Sequence, residues 1–198
     1  MPAIKISPTH FNSKKIYINN TLITNDRLEA LIRLATQAPK EGCFAEVGVY
    51  KGGSLMLLAM TFPDRCVFGF DSFEGLPIAY WTDTEVHRPG EFGDTSQEAV
   101  TEFLGEYKSN VHLVKGIFPA SASLQEQETF AFVHIDTDFY LSVKACLEWF
   151  WPRLVPGGII VLDDYRWPAC PGVEQALVEF GQPFQQTEAA YQAFLLKE

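Results

Sequence analysis

Positive charge is scarce in this 198-residue chain. Its 15 Lys and Arg stand against 25 Asp and Glu, a formal net charge of −10. So acidic a surface repels phosphate backbones and anionic lipid, which argues against nucleic acid or a membrane surface as partners. Long apolar runs are missing too. Stretches such as 159–162 and 131–133 fall far short of the roughly 18 residues that a membrane span needs. The opening MPAIKISPTHFNSKK lacks the apolar core of a secretory leader. Four cysteines (Cys43, Cys66, Cys146, Cys170) lie far apart with no C-x-x-C, so reduced, buried thiols are expected rather than disulfides or zinc ligands. Repeats, low-complexity tracts and Ser/Gly linkers are absent. What remains is 47% hydrophobic and 14% aromatic, enough to fill one core. The expectation is one cytoplasmic domain over 1–198.

Short apolar runs alternate with helical patterns along most of the chain. Residues 1–22 are polar and irregular and read as an arm or lid. A helix follows to about residue 37, with Asn25 or Asp26 as its cap and Leu28, Leu31, Ile32 and Leu34 on one face. Strands are expected at 43–49, 66–70, 111–114, 130–135 and 158–162, and helices at 54–60, 97–107, 141–151 and 173–180. Short apolar strands alternating with helices imply a doubly wound, mostly parallel α/β sheet covered on both faces. Residues 183–187 and 191–196 read as a hairpin at one edge, which brings the sheet to seven strands. Only 72–97 breaks the rhythm; so long a loop inside a compact domain reads as a lid, or else as a tolerated insertion.

In such sheets ligands lie where strands end and strand order reverses. After the first strand comes Glu46-Val-Gly48-Val-Tyr50-Lys51-Gly52-Gly53-Ser54, whose glycines permit a tight turn and close backbone approach. The pattern is not G-x-G-x-x-G, and Glu46 would repel a pyrophosphate while favouring an amino-bearing ligand. That points away from NAD and towards S-adenosylmethionine. Asp71, followed by Ser72, ends the second strand, where a carboxylate can accept both ribose hydroxyls or cap the next helix. Gly116 after the third strand would let an adenine edge approach, although a plain turn explains it equally well. The fourth strand ends in His134-Ile-Asp136-Thr-Asp138, and the fifth in Asp163-Asp164-Tyr165. Packed carboxylates destabilise one another unless a cation neutralises them, and oxygen ligands suit Mg²⁺, Mn²⁺ or Ca²⁺. Helix caps are the plainer alternative for single members of the set. His134 reads as a core residue and Trp149-Phe150-Trp151 as core, Trp81 and Trp167 are the better candidates for a substrate wall, and His87 in the long loop could contact substrate or simply be a surface group.

The strings FAEVGVYKGGS, FGFDSFEGLP, HIDTDFY and PGGIIVLDDY, followed by PACPGVEQAL, resemble the macrocin O-methyltransferase (TylF/MycF/NovP-like) family over roughly 43–180. The resemblance implies the class I methyltransferase, Rossmann-like fold and an enzyme dependent on S-adenosylmethionine and Mg²⁺. Carried onto this chain, it implies cofactor contacts from Glu46, Gly48, Gly52 and Ser54, with Tyr50, Ser72, Gly116 and Asp136 beside them. By the same resemblance Asp71 would hold the ribose, Asp136, Asp163 and Asp164 would bind the metal, and Asp138 would be the general base. The expected partner is a small-molecule hydroxyl acceptor, a sugar or a glycosylated natural product, with a homodimer left open. Family members acting on antibiotic sugars have longer N-terminal and lid segments, so their acceptor specificity does not carry over. A catechol or phenol O-methyltransferase and a non-catalytic S-adenosylmethionine-binding module are the alternatives.

Overall fold

The computed structural model describes residues 19–198, so the expected arm at 1–22 falls mostly outside the described residues. Five strands run parallel: β1 (Cys43–Val47), β2 (Val67–Asp71), β3 (Val111–Lys115), β4 (Phe130–Ile135) and β5 (Leu154–Asp163). β6 (Phe184–Gln186) and β7 (Gln192–Leu196) form the expected hairpin, with β7 antiparallel to β5. The order is β3-β2-β1-β4-β5-β7-β6. The chain therefore builds outward from β1 in one direction, then restarts at β4 and builds in the other. That reversal opens a crevice above the carboxyl ends of β1 and β4.

Strand alternation sends successive side chains to opposite faces, and each face meets its own helices. Phe44, Phe132 and Val161 pack under α1 (Asn25–Ala35), α2 (Gly53–Thr61) and α3 (Gln97–Leu104) through Leu28, Leu31, Leu55, Leu58, Val100 and Leu104. Ala45, Val133, Ile135 and Leu162 meet Val143 and Leu147 of α4 (Tyr140–Phe150) and Val173 and Leu177 of α5 (Pro171–Phe180). Trp149 and Phe150 are core residues as expected: Phe150 stacks on Phe118 at 5.1 Å, and Trp149 meets Phe118 edge-on at the same distance. Among the described residues no helix is long and apolar enough to cross a membrane.

Some boundaries differ from the sequence expectation, each for a local reason. Thr24 occupies the N-cap of α1, not Asn25 or Asp26, and no side chain caps that end. α3 stops at Leu104 because Gly105 takes a positive φ of 53° and a 3-10 turn follows. β5 begins four residues early, since Gly157 and Gly158 pair with Lys197 at 2.7 and 2.9 Å and hold the Pro-Gly-Gly segment extended. Cys43 and Cys66 are half-buried rather than buried, and all four cysteines are free thiols.

The crevice rests on one glycine. Gly48 leaves β1 at φ +90°, and a Cβ there would lie 1.8 Å from the Asp136 carbonyl oxygen. The Asp136 N–H meanwhile donates to Val47 O at 2.9 Å, locking the end of β4 against that of β1. Gly48→Ala would have to push the two strand ends apart. It is expected to cost at least about 3 kcal/mol of stability, the upper range for a strained backbone position. Denaturant unfolding of that variant checks this, and a loss under about 1 kcal/mol would show that the contact relaxes freely.

Candidate active site

A cavity of about 300 Å³ opens over the strand ends. Its floor comes from Gly48, Val49, Tyr50, Ser54, Asp71, Ser72 and Gly116, its acidic wall from Asp136, Asp138, Asp163 and Asp164, and its roof from His87, Tyr80 and Phe92 of the lid. Four loops after parallel strands each hold a non-glycine residue in the left-handed region: Tyr50 (φ 51°), Phe73 (54°), Asp138 (59°) and Asp164 (59°). Such conformations persist only where surrounding contacts over-determine them, and Asp tolerates them better than most residues.

Asp71 supplies those contacts on the floor. Its Oδ2 accepts the N–H groups of Val49 and Tyr50 at 2.7 and 2.8 Å, and its Oδ1 accepts that of Phe73 at 2.7 Å. One carboxylate thus ties the loop after β1 to the loop after β2. The sequence pointed to a ribose-holding acid, and the structure adds a loop-ordering duty that occupies three of its acceptor positions.

Two expected cofactor contacts do not reach the cavity. Glu46 is fully buried on the α1 side of the sheet, where its Oε1 lies 2.8 Å from His134 Nδ1 on the neighbouring strand. The sequence could not show this, because pairing across β1 and β4 is a matter of register. Gly52 instead serves as the N-cap of α2 at φ +85°, with a Cβ position only 2.9 Å from Val100 Cγ1. Gly48, Tyr50, Ser54, Asp71, Ser72, Gly116 and Asp136 all line the cavity as expected. Trp167 lines it too, with its ring edge-on to Tyr191 at 4.7 Å, whereas Trp81 does not. His134 is a core residue, but its Nε2 lacks a hydrogen-bond partner and lies 4.0 Å from Asp163 Oδ2.

The acids converge as the sequence implied. Carboxylate oxygens of Asp136, Asp138 and Asp164 lie within 4.8 Å of one another, and Asp163 joins Asp136 and His134 at the same spacing. Burial and the neighbouring carboxylates hold Asp136 well above its ordinary range. Burial, with Asp164 close by, pushes Asp138 up to about 6. Burial raises Asp163 to about 6 although His134 and Arg27 oppose it. Arg27 escaped the sequence reading. From α1 its Nη1 reaches Asp164 Oδ1 at 2.9 Å and Asp163 Oδ1 at 3.3 Å. Gln192 on β7 donates to Asp163 Oδ1 at 3.2 Å. The only sequence signal for Gln192 was a polar residue in the inward phase of a strand; for Arg27 there was none. One guanidinium does not balance four carboxylates, and Asp163 Oδ2 is buried without a hydrogen-bond partner. Asp136, Asp138 and Asp164 offer oxygen alone, the donor set that suits a hard divalent cation, while the orphaned Asp163 Oδ2 faces the equally unpartnered His134 Nε2 at 4.0 Å.

The lid covers this wall and is fastened at several points. Glu85, 5% exposed, accepts the Tyr140 N–H at 2.9 Å and so caps α4, whose own N-cap residue Phe139 supplies no side-chain bond. The Tyr80 hydroxyl donates to Phe118 O at 2.9 Å, and the Thr95 hydroxyl to Tyr50 O at 2.6 Å.

The macrocin O-methyltransferase (TylF) family profile matches residues 15–189. Among curated proteins, the mycinamicin III 3''-O-methyltransferase of Micromonospora griseorubida is 30% identical over 172 residues, 77% of this chain and 68% of that protein. The 8-demethyl-8-(2,3-dimethoxy-alpha-L-rhamnosyl)-tetracenomycin-C 4'-O-methyltransferase of Streptomyces olivaceus is 28% identical over 159 residues, 73% of this chain and 61% of that protein. The chain thus spans about two thirds of the length of these relatives. The solved O-methyltransferase NovP shares the fold with a TM-score of 0.77 at 24% identity, covering 90% of this chain and 82% of its own.

The Asp71 geometry makes a double expectation. Asp71→Ala strips the acceptor from three backbone N–H groups, and hydrogen bonds to a charged group are worth about 1.5–3 kcal/mol each. The variant is expected to lose about 3 kcal/mol or more of stability and to bind S-adenosylhomocysteine at least tenfold more weakly. Denaturant unfolding and calorimetry on the same variant check both, and an unchanged unfolding midpoint would remove the loop-ordering role.

Proposed function

Because the chain belongs to the macrocin O-methyltransferase family, a family of methyltransferases, we propose that it transfers the methyl group of S-adenosylmethionine to a sugar hydroxyl of a glycosylated natural product. The observation that carries this reading is the meeting, in one cavity, of a glycine-turn floor ordered by Asp71 with a wall of four aspartates. Relatives named for action on mycinamicin III and on a rhamnosyl-tetracenomycin support the sugar as acceptor class.

Roles follow from position. Gly48, Tyr50, Ser54, Ser72 and Gly116 line the floor, where the cofactor's adenosyl part would lie, with Asp71 facing its ribose. Asp136, Asp163 and Asp164 would hold a divalent cation, Mg²⁺ being the ion of first choice for an oxygen-only site. When bound, such a cation orients an acceptor oxygen and eases loss of its proton. Arg27 holds the outer oxygens of Asp163 and Asp164 in place from α1. Asp138 stands within 4.8 Å of Asp136 and Asp164, on a left-handed residue that turns the chain into α4. Its burial favours the protonated form, so its carboxylate is suited to accept a proton near neutral pH. Bound there, S-adenosylmethionine would supply the methyl group and leave as S-adenosylhomocysteine, while Asp138 would take up the proton that the acceptor hydroxyl loses.

The test uses the full chain with methyl-labelled S-adenosylmethionine, and with 4-nitrophenyl α-L-rhamnoside and catechol as rival acceptors. Label is expected in the rhamnoside; transfer to catechol alone would move the reading to a phenol O-methyltransferase. Chelation with EDTA is expected to abolish turnover while S-adenosylmethionine binding survives, and Mg²⁺ to restore it. Full activity after exhaustive chelation would remove the cation. Asp138→Asn is expected to lower kcat by roughly 10²–10⁴-fold, the usual worth of general base catalysis. Activity within threefold of wild type would end the role of Asp138.

A further inference from the structure

Nearly all aromatic rings of this chain are buried or half-buried, and the exceptions stand together. Among the described Phe, Tyr and Trp side chains only Trp167 (41%) and Tyr191 (37%) are exposed, and their rings meet at 4.7 Å with 78° between planes. They come from separate stretches of chain, Trp167 from the turn between β5 and α5 and Tyr191 from the turn between β6 and β7. Trp167 lines the cavity, and its N–H donates to the Asp164 carbonyl at 2.9 Å, which ties it to the backbone of an acid in the wall. Its own carbonyl accepts the Cys170 N–H at 2.9 Å, joining the turn to the head of α5. Both turns hold a bulky residue in the left-handed region: Arg166 (φ 62°) beside Trp167, and Tyr191 itself (φ 61°). Glu174 keeps Arg166 there, with its Oε1 2.8 Å from Nε. Glycine would close either turn without strain, so the turns alone do not call for these residues. A pair of aromatic rings left in water at the rim of a cavity marks surface that a ligand covers.

We propose that Trp167, braced by Tyr191, is the wall that selects the acceptor: the sugar ring lies with its C–H face on the indole and its hydroxyl edge towards the aspartates. The inference rests on the methyl-transfer reading above and adds which residue chooses the acceptor. A sugar ring is two-sided in character. Axial C–H bonds project from its faces, while most of its hydroxyl groups stand around the rim. The face of an indole is the negative side of its quadrupole, so it attracts such weakly positive hydrogens and is flat enough to touch several at once. Asp136, Asp138 and Asp164, whose carboxylate oxygens lie within 4.8 Å of one another, line the same cavity and offer acceptors to the rim. A broad apolar wall beside a few polar groups is the common division in small-molecule sites, the first supplying contact and the second orientation. Neither ring belongs to the lid, so acceptor selection falls to the β5–α5 turn and the edge hairpin. Stacking holds the sugar alike before and during transfer, so its loss raises KM and leaves kcat in place.

The experiment uses the full chain and methyl α-L-rhamnoside, which carries no aromatic group that could stack in place of the sugar. Binding is measured first, with S-adenosylhomocysteine and Mg²⁺ present and no turnover. Trp167 is one of four tryptophans, and the sugar is expected to change the intrinsic fluorescence of wild type far more than that of Trp167→Phe. Calorimetry should find the affinity of Trp167→Phe within about threefold of wild type, because a flat ring remains, and that of Trp167→Ala weaker by about tenfold or more. Transfer of labelled methyl to the same sugar should show KM raised by about tenfold or more in Trp167→Ala with kcat within about twofold, and KM restored in Trp167→Phe. S-adenosylhomocysteine affinity and melting temperature should stay close to wild type in both variants, which separates a lost contact from a distorted turn. An unchanged KM in Trp167→Ala, or an undiminished fluorescence response in Trp167→Phe, would overturn the inference. Failure of wild type to bind or methylate the sugar counts against the function proposed above and takes this inference with it. A wild type that methylates the sugar, matched by Trp167→Ala, counts against this inference alone.

Discussion

Like charges crowded into a small, half-dry space set the terms for this molecule. The register that pairs Ile135 with Leu162 brings Asp136 beside Asp163, so the two strand ends deliver their acids to one spot. The next residues along, Asp138 and Asp164, turn back towards the same spot through left-handed backbone. Left to themselves, such carboxylates resist ionisation, and burial with mutual repulsion raises Asp136, Asp138 and Asp163. Everything near them reads as compensation. Arg27 supplies a positive charge from α1, Gln192 a hydrogen bond from β7, and Cys170 a weak donor from the head of α5. Three elements remote in sequence therefore converge on the wall, and none of them could be assigned to it from local pattern.

What the sequence showed well was periodic or repeated. The alternation of short apolar runs with helices gave the doubly wound sheet and its edge hairpin, and the strand ends gave the positions of the acids. Residues whose role depends on a partner across the sheet stayed hidden. Glu46 is the instructive case. Its place before a glycine turn suggested a ligand contact, but strand alternation sends it to the face under α1, where only His134 on β4 can meet it. A polar residue in the buried phase of a central strand needs a buried partner, and the matching polar residue in the buried phase of β4 was the available clue. Asp71 went the other way. Its position predicted a ribose contact, while its three backbone N–H bonds are loop geometry that one-dimensional pattern cannot carry.

The charge chain beneath the cavity links the floor to the wall. Glu46 bonds His134, His134 faces Asp163 at 4.0 Å, and Asp163 meets Arg27 and Gln192. A chain of buried polar groups is costly when any member loses its partner, so each constrains the next. The orientation of Asp163 is therefore set from behind, through β1 and β4, as well as from the front by Arg27. A rigid carboxylate is what a divalent cation needs, because coordination fails when its ligands drift by a fraction of an ångström.

The lid completes the arrangement from the opposite side by the same physics. The N-terminus of α4 follows directly on Asp138 and Phe139, and it carries no cap of its own. Glu85 provides that cap, so a lid side chain satisfies the first turn of the helix that the acidic loop leads into. Undocking the lid would expose that helix end and withdraw His87 from Asp138 in one movement. The order of the wall and the closure of the cavity are then not independent events. A loop that sits on a helix N-terminus with a carboxylate gains from the helix dipole as well as from the hydrogen bond. The same lid lines the cavity in which burial raises Asp138. The lid and the acidic loop thus border the cavity from different sides and are held together at the head of α4.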